Sequence, residues 1–98
     1  MTAIPYLIER RNDSLGMGSS MTVDTILKEL VIYNPNSSQI DVTFTIRGDE
    51  EVDILSNYPL SVNEAKVFNF SLFIPSGTSY TIIASSPFSF YMTGVKIE

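Results

Sequence analysis

The stretch Gln39-Ile40-Asp41-Val42-Thr43-Phe44-Thr45-Ile46-Arg47 decides the fold class. In it Ile40, Val42, Phe44 and Ile46 alternate with Asp41, Thr43, Thr45 and Arg47. Successive side chains of a strand point to opposite faces, so this pattern predicts a strand with one dry and one wet face. Turn-forming residues close it on both sides, Asn34-Pro35-Asn36-Ser37-Ser38 before it and Gly48-Asp49-Glu50-Glu51 after it.

Upstream, residues 26–33 end in the apolar run Leu30-Val31-Ile32-Tyr33 and read as the hairpin partner of that strand. Val23, Ile26, Leu27, Leu30 and Val31 also fall at helical spacing, so an amphipathic helix is the rival reading. The β-branched residues that lead straight into a turn favour the strand. Downstream, short strands are predicted over 52–55 and 60–62, broken by Asn57-Tyr58-Pro59. Residues 65–73 alternate again, with Phe68, Phe70 and Leu72 on one face. Pro75-Ser76-Gly77 turns the chain into a strand over 79–84, and Ser85-Ser86-Pro87 turns it into the last strand, 88–97. There the apolar positions shift from Phe88, Phe90 and Met92 to Val95 and Ile97, which predicts a bulge at Gly94. At the front, residues 4–9 read as a strand, and the Gly/Ser-rich stretch 12–20 as a surface loop. Seven or eight short strands with no convincing helix predict an all-β antiparallel β-sandwich, Ig-like or jelly-roll. The expected organisation is one domain over 1–98, with 1–20 as an N-terminal arm that contacts a partner.

Composition narrows the function classes. A chain of 98 residues buries only about 60–65% of the surface its unfolded form exposes, so its stability margin is thin. It has no cysteine and no histidine, so a disulfide framework and the commonest zinc ligands and neutral-pH bases are missing. Six basic residues stand against eleven acidic ones, for a net charge of −5, which argues against direct nucleic-acid binding. The start, Met1-Thr2-Ala3-Ile4-Pro5, lacks the basic and apolar regions of a secretory signal. No apolar run approaches the roughly 20 residues a helix needs to cross a bilayer. A soluble protein made in the cytoplasm, without membrane partner, is the expectation.

The residues that could carry chemistry are few. Asp49, Glu50, Glu51 and Asp53 form the one dense carboxylate cluster. Its spacing does not match a calcium-binding EF-hand loop, and a solvated turn is the simpler reading. A glycosidase-type carboxylate pair normally needs a cleft in a larger scaffold. The serines lack a histidine base. Gly16-Met17-Gly18 lacks the lysine and the strand-to-helix setting of a phosphate loop. No enzyme activity, cofactor or metal is therefore expected. Tyr6, Tyr58 and Tyr91 are candidates for an interface or a sugar-stacking surface. Arg10 and Arg11, beside Glu9, are candidates to pair with carboxylates of a partner.

Three segments carry a likeness to known proteins: residues 30–44, the run Phe68-Asn69-Phe70-Ser71-Leu72-Phe73-Ile74-Pro75-Ser76-Gly77-Thr78, and the closing Thr93-Gly94-Val95-Lys96-Ile97-Glu98. In them the chain resembles small β-sandwich virion accessory proteins of tailed bacteriophages, the capsid decoration or cement type. The resemblance implies a non-enzymatic virion protein, made in the host cytoplasm. It would bind the major capsid protein or another virion protein, as a homo-oligomer for which a trimer is the first expectation. It brings no shared binding motif, so no site residue is carried over, and residues 1–20 lie outside it. The alternative is a carbohydrate-binding or adhesion module of a tail or fibre.

Overall fold

The computed structural model describes residues 2–98. Six strands, β1 (Ala3–Ser20), β2 (Asp24–Tyr33), β3 (Ile40–Arg47), β4 (Glu51–Leu60), β5 (Ala65–Ile74) and β6 (Ser79–Ile97), form one curled antiparallel sheet. Its order is β4-β3-β6-β2-β5, with β1 along the other edge of β6.

The curl comes from a change of partner along β6. Its first part pairs with β3, from Arg47 opposite Ser79 to Val42 opposite Ala84. Its last part pairs with β2, from Tyr33 opposite Ser89 to Asp24 opposite Ile97. β1 follows β6 throughout, from Ser20 opposite Ser79 to Ala3 opposite Ile97, with register shifts between Arg11 and Gly16. The sheet thus has two halves joined through β1 and β6. One runs β4-β3-β6-β1 and the other β5-β2-β6-β1.

Both halves turn their inner faces to one core. Leu27, Leu30 and Ile32 from β2, Val42 and Phe44 from β3, and Ile82, Phe88 and Met92 from β6 are fully buried in it. Tyr58 of β4 meets Phe68 of β5 edge to face at 5.2 Å between ring centres, so aromatic contacts also join the two outermost strands. The alternation read from Ile40 to Ile46 holds as far as Phe44, with Ile40, Val42 and Phe44 inward and Asp41 and Thr43 outward. Past the register shift at Phe44/Thr45, Thr45 is buried, against the expected wet face, and Ile46 is half-buried.

Several expectations are corrected. There are six strands rather than seven or eight, because two presumed breaks, at 57–59 and 85–87, lie inside strands. Residues 12–20 belong to β1 and hydrogen-bond to β6, so this stretch is not a loop. Asn57-Tyr58-Pro59 lies within β4, where Asn57 takes a positive φ of 47° at a register shift. Pro59 is tolerated because β4 is an edge strand with one unpaired side. Ser85-Ser86-Pro87 does not end a strand but marks where β6 leaves β3 for β2. Gly94 is not bulged. The extra residues lie in its neighbours, at the shifts Leu7/Glu9 in β1 and Leu27/Glu29 in β2. Gly94 is required because a Cβ there would collide with the carbonyl oxygen of Ile26. The rival helix over 23–31 is absent, and the segment is β2.

Candidate interaction face

The structure separates the five candidate residues. Tyr6 and Arg11 lie toward the inner side of the sheet. The Tyr6 ring carries the Lys96 ammonium 5.5 Å from its centre. Arg11 reaches Glu9 Oε1 at 3.6 Å and its Nε donates to Met17 Sδ at 3.4 Å. Tyr58 is half-buried against Phe68. Arg10 and Tyr91 alone come together, as cross-strand partners on the outer face of the β5-β2-β6-β1 half.

Around that pair the outer face is largely apolar. Tyr91 also stands opposite Val31, and Val31 opposite Val67, so Arg10, Tyr91, Val31 and Val67 form one row across four strands. Pro5, Val95, Ile26 and Phe73 form a parallel row nearer the end of β6. Five of the nine large apolar side chains left exposed among the described residues lie on this face: Leu7, Tyr33, Val67, Phe73 and Tyr91. Its polar contacts are long, Lys28 Nζ donating to Ser71 Oγ at 3.3 Å and Tyr91 Oη to Glu29 Oε1 at 3.4 Å. A shallow cleft of about 140 Å³ lies at its corner between Arg10, Asn12, Val31, Tyr33 and Tyr91. Contiguous apolar surface of this kind makes the face the candidate for contact with another macromolecule.

Sequence reasoning named only Arg10 and Tyr91 from this face. The signal for the rest is the run Leu30-Val31-Ile32-Tyr33, apolar at every position. In a strand, that means both faces are apolar. Leu72-Phe73-Ile74 says the same of β5, and the shift to Val95 and Ile97 says it of β6.

The carboxylates of the Gly48–Glu51 turn and the start of β4 are engaged separately. Glu51 pairs with Arg47, and Asp53 Oδ1 accepts a hydrogen bond from Thr45 Oγ1 at 2.8 Å. Among the described residues no group of three or more acidic side chains gathers as a metal would require. One titratable group is strongly perturbed. Burial pushes the Tyr80 phenol up to about 12, with the negative charge of Glu9 and the Tyr6 phenol adding to the shift and Ser19 and Arg11 opposing it. Tyr80 lies edge-on to Phe44 at 6.5 Å in the core, where a neutral phenol fits packing rather than catalysis.

The sequence matches no family model and no curated protein. Among solved structures, it is similar to a chain in the structure of the infectious bursal disease virus Gx strain. That match has 11% identity and a TM-score of 0.47, and covers 96% of this chain and 30% of that one. A chain of the T13 particle of the same virus matches at 15% identity and a TM-score of 0.49, covering 98% of this chain and 26% of that one. The Gt strain gives 14% identity and a TM-score of 0.45, with 95% and 26% covered. The chain thus spans less than a third of the length of the chains it matches. At these scores the likeness carries no argument about fold or function.

Proposed function

We propose that the chain is a virion structural protein, a capsid decoration or cement subunit that holds to the shell by surface contact and performs no reaction of its own. The observation that carries this reading is the apolar outer face of the β5-β2-β6-β1 half. A surface rich in Leu7, Tyr33, Val67, Phe73 and Tyr91 costs solubility unless another macromolecule covers it.

The winding of the chain supports the same reading. Divided at the β1 kink before Gly16 and at 85–87 of β6, the six strands become eight segments. Those over 3–12, 24–33, 65–74 and 88–97 form one layer; those over 16–20, 40–47, 51–60 and 79–84 form the other. Such a path is consistent with a two-layer jelly roll, an architecture that recurs in viral capsid and lectin domains. We read the curled sheet as such a sandwich, with residues 1–98 as one domain. Residues 1–20 serve as its edge and present Arg10 to the partner.

The test is co-sedimentation of the purified chain with candidate shells built from a major capsid protein. Saturable binding at a fixed ratio to the shell subunits is expected. A chain that stays in the supernatant at every ratio contradicts the reading. A second reading, carbohydrate binding, is favoured by the cleft in which Tyr33 and Tyr91 stand beside Arg10 and Asn12. Saturable binding on a glycan array that is lost in Tyr91→Ala would establish it instead.

A further inference from the structure

The two outer faces of the sheet differ in how far they satisfy themselves. On the β4-β3-β6-β1 half, Thr45 donates to Asp53 at 2.8 Å, the Asn57 amide to Thr43 Oγ1 at 3.0 Å and the Asp41 amide to Ser85 Oγ at 3.0 Å. The apolar half has no comparable network. Its charges are few and balanced, with Arg10 on β1 and Lys28 on β2 against Glu29 on β2 and Asp24 at the rim. Most of the chain's net charge of −5 therefore lies away from this face.

From this geometry we propose that the outer face of the β5-β2-β6-β1 half packs on the same face of a second copy across a two-fold axis, with Arg10 of each copy opposite Glu29 of the other. A two-fold interface is self-complementary, so a single face must supply both members of every pair, and this face does. The size also fits. Four strands about 4.8 Å apart and ten residues at about 3.4 Å give a flat footprint of about 650 Å² before side-chain relief is added. That approaches the roughly 800 Å² per partner of a standard stable interface. Face-to-face sheets would meet at about 10 Å, a spacing that Val31, Val67 and Tyr91 are large enough to fill. A charged surface elsewhere on a chain of net charge −5 disfavours other arrangements of two copies. The arrangement gives a dimer in place of the trimer expected from the resemblance. Dimer and shell use this one face in turn, the free chain pairing with a second copy that the shell displaces. The two fail separately, since a chain that binds no shell can still dimerise.

Sedimentation equilibrium of the full chain tests this. Reversible dimerisation in the micromolar range is expected. Val67→Glu, at a half-exposed edge position, should weaken the dimer at least about tenfold while leaving the circular-dichroism spectrum unchanged. Ile83→Glu, equally exposed on the other half, should leave it intact. Arg10→Glu and Glu29→Arg should each weaken the dimer, and the double variant should restore it. A monomer at all concentrations, a trimer, equal effects of Val67→Glu and Ile83→Glu, or a double variant weaker than both singles would overturn the proposal.

Discussion

The halves of the curled sheet share two strands and one core, yet their outer faces are built from different chemistry. The β4-β3-β6-β1 half presents Thr43, Thr81, Arg47 and Asp53, with Asp53 bonded to the buried Thr45 hydroxyl, Thr43 to the Asn57 amide and Arg47 paired with Glu51. The β5-β2-β6-β1 half presents Val31, Val67, Phe73 and Tyr91 with little polar bonding. Burial cannot explain the difference, because both inner faces already serve the core. An apolar outer face adds nothing to the folded monomer that it would not add in a partner's embrace. One half satisfies its outer face within the chain, and the other leaves apolar side chains exposed on the face proposed for contact.

The most damaging way to break the comparison is to stop the chain from passing between the halves. Gly16 sits at the kink of β1 with a φ of 133°, and a Cβ there would run into the Ile82 carbonyl oxygen and lie 2.6 Å from the Ile83 Cα. Gly16→Ala should therefore cost roughly 2–4 kcal/mol, seen as a lowered urea midpoint. The polar half should lose amide-exchange protection first, because residues 16–20 hold its β1 edge.

A smaller effect is expected where the halves are joined by a side chain. Asn34 is fully buried between β2 and β3. Its Nδ2 donates to the carbonyl oxygens of Ser38 (2.9 Å), Leu60 (3.0 Å) and Ser61 (3.1 Å), and its Oδ1 accepts from the Asn36 amide at 2.9 Å. Asn34→Ala removes these bonds, leaving the Ser61 carbonyl only the Glu64 amide, and should destabilise by about 2–3 kcal/mol in the same denaturation measurement. Asn34→Asp should be no better, since a carboxylate cannot donate to three carbonyl oxygens.

The mildest perturbation is alkaline. The Tyr80 phenol ionises near 10.0 in the unfolded chain and near 12 when folded. Its contribution is therefore complete below pH 10 and declines as pH rises to 12, because the unfolded state releases the proton first. A melting-temperature profile should fall across that window, and Tyr80→Phe should flatten the fall. An unchanged profile in Tyr80→Phe would place the alkaline loss elsewhere.

Much of this was legible in the sequence, though unevenly. β3 and the middle of β5 are readable because side chains alternate where one face is dry and the other wet, as from Ile40 to Phe44 and from Phe68 to Leu72. β1 beyond Arg11 was not, because Gly16, Gly18 and the serines carry no periodicity; that edge is held by backbone pairing to β6. Proline and serine at 85–87 were read as an end when they mark a change of partner, an event that local residues cannot distinguish from a turn. The shift of apolar residues past Gly94 was misread as a bulge for a related reason. A strand apolar on both faces loses its period, and the second apolar face is the one proposed for contact. Of the five candidate residues only Arg10 and Tyr91 reached that face, because single tyrosines and arginines reveal nothing about which way a strand points until its register is known.

The outer face of the β5-β2-β6-β1 half is the surface through which we propose this protein works. Hydroxyl-radical labelling of side chains tests it most directly, on the dilute chain and on the chain in its assembled state. Tyr33, Val67, Phe73 and Tyr91 should lose reactivity on assembly, while Ile83 keeps its own. Protection of Ile83 with continued labelling of Tyr91 and Phe73 would show that the claim assigns contact to the wrong face.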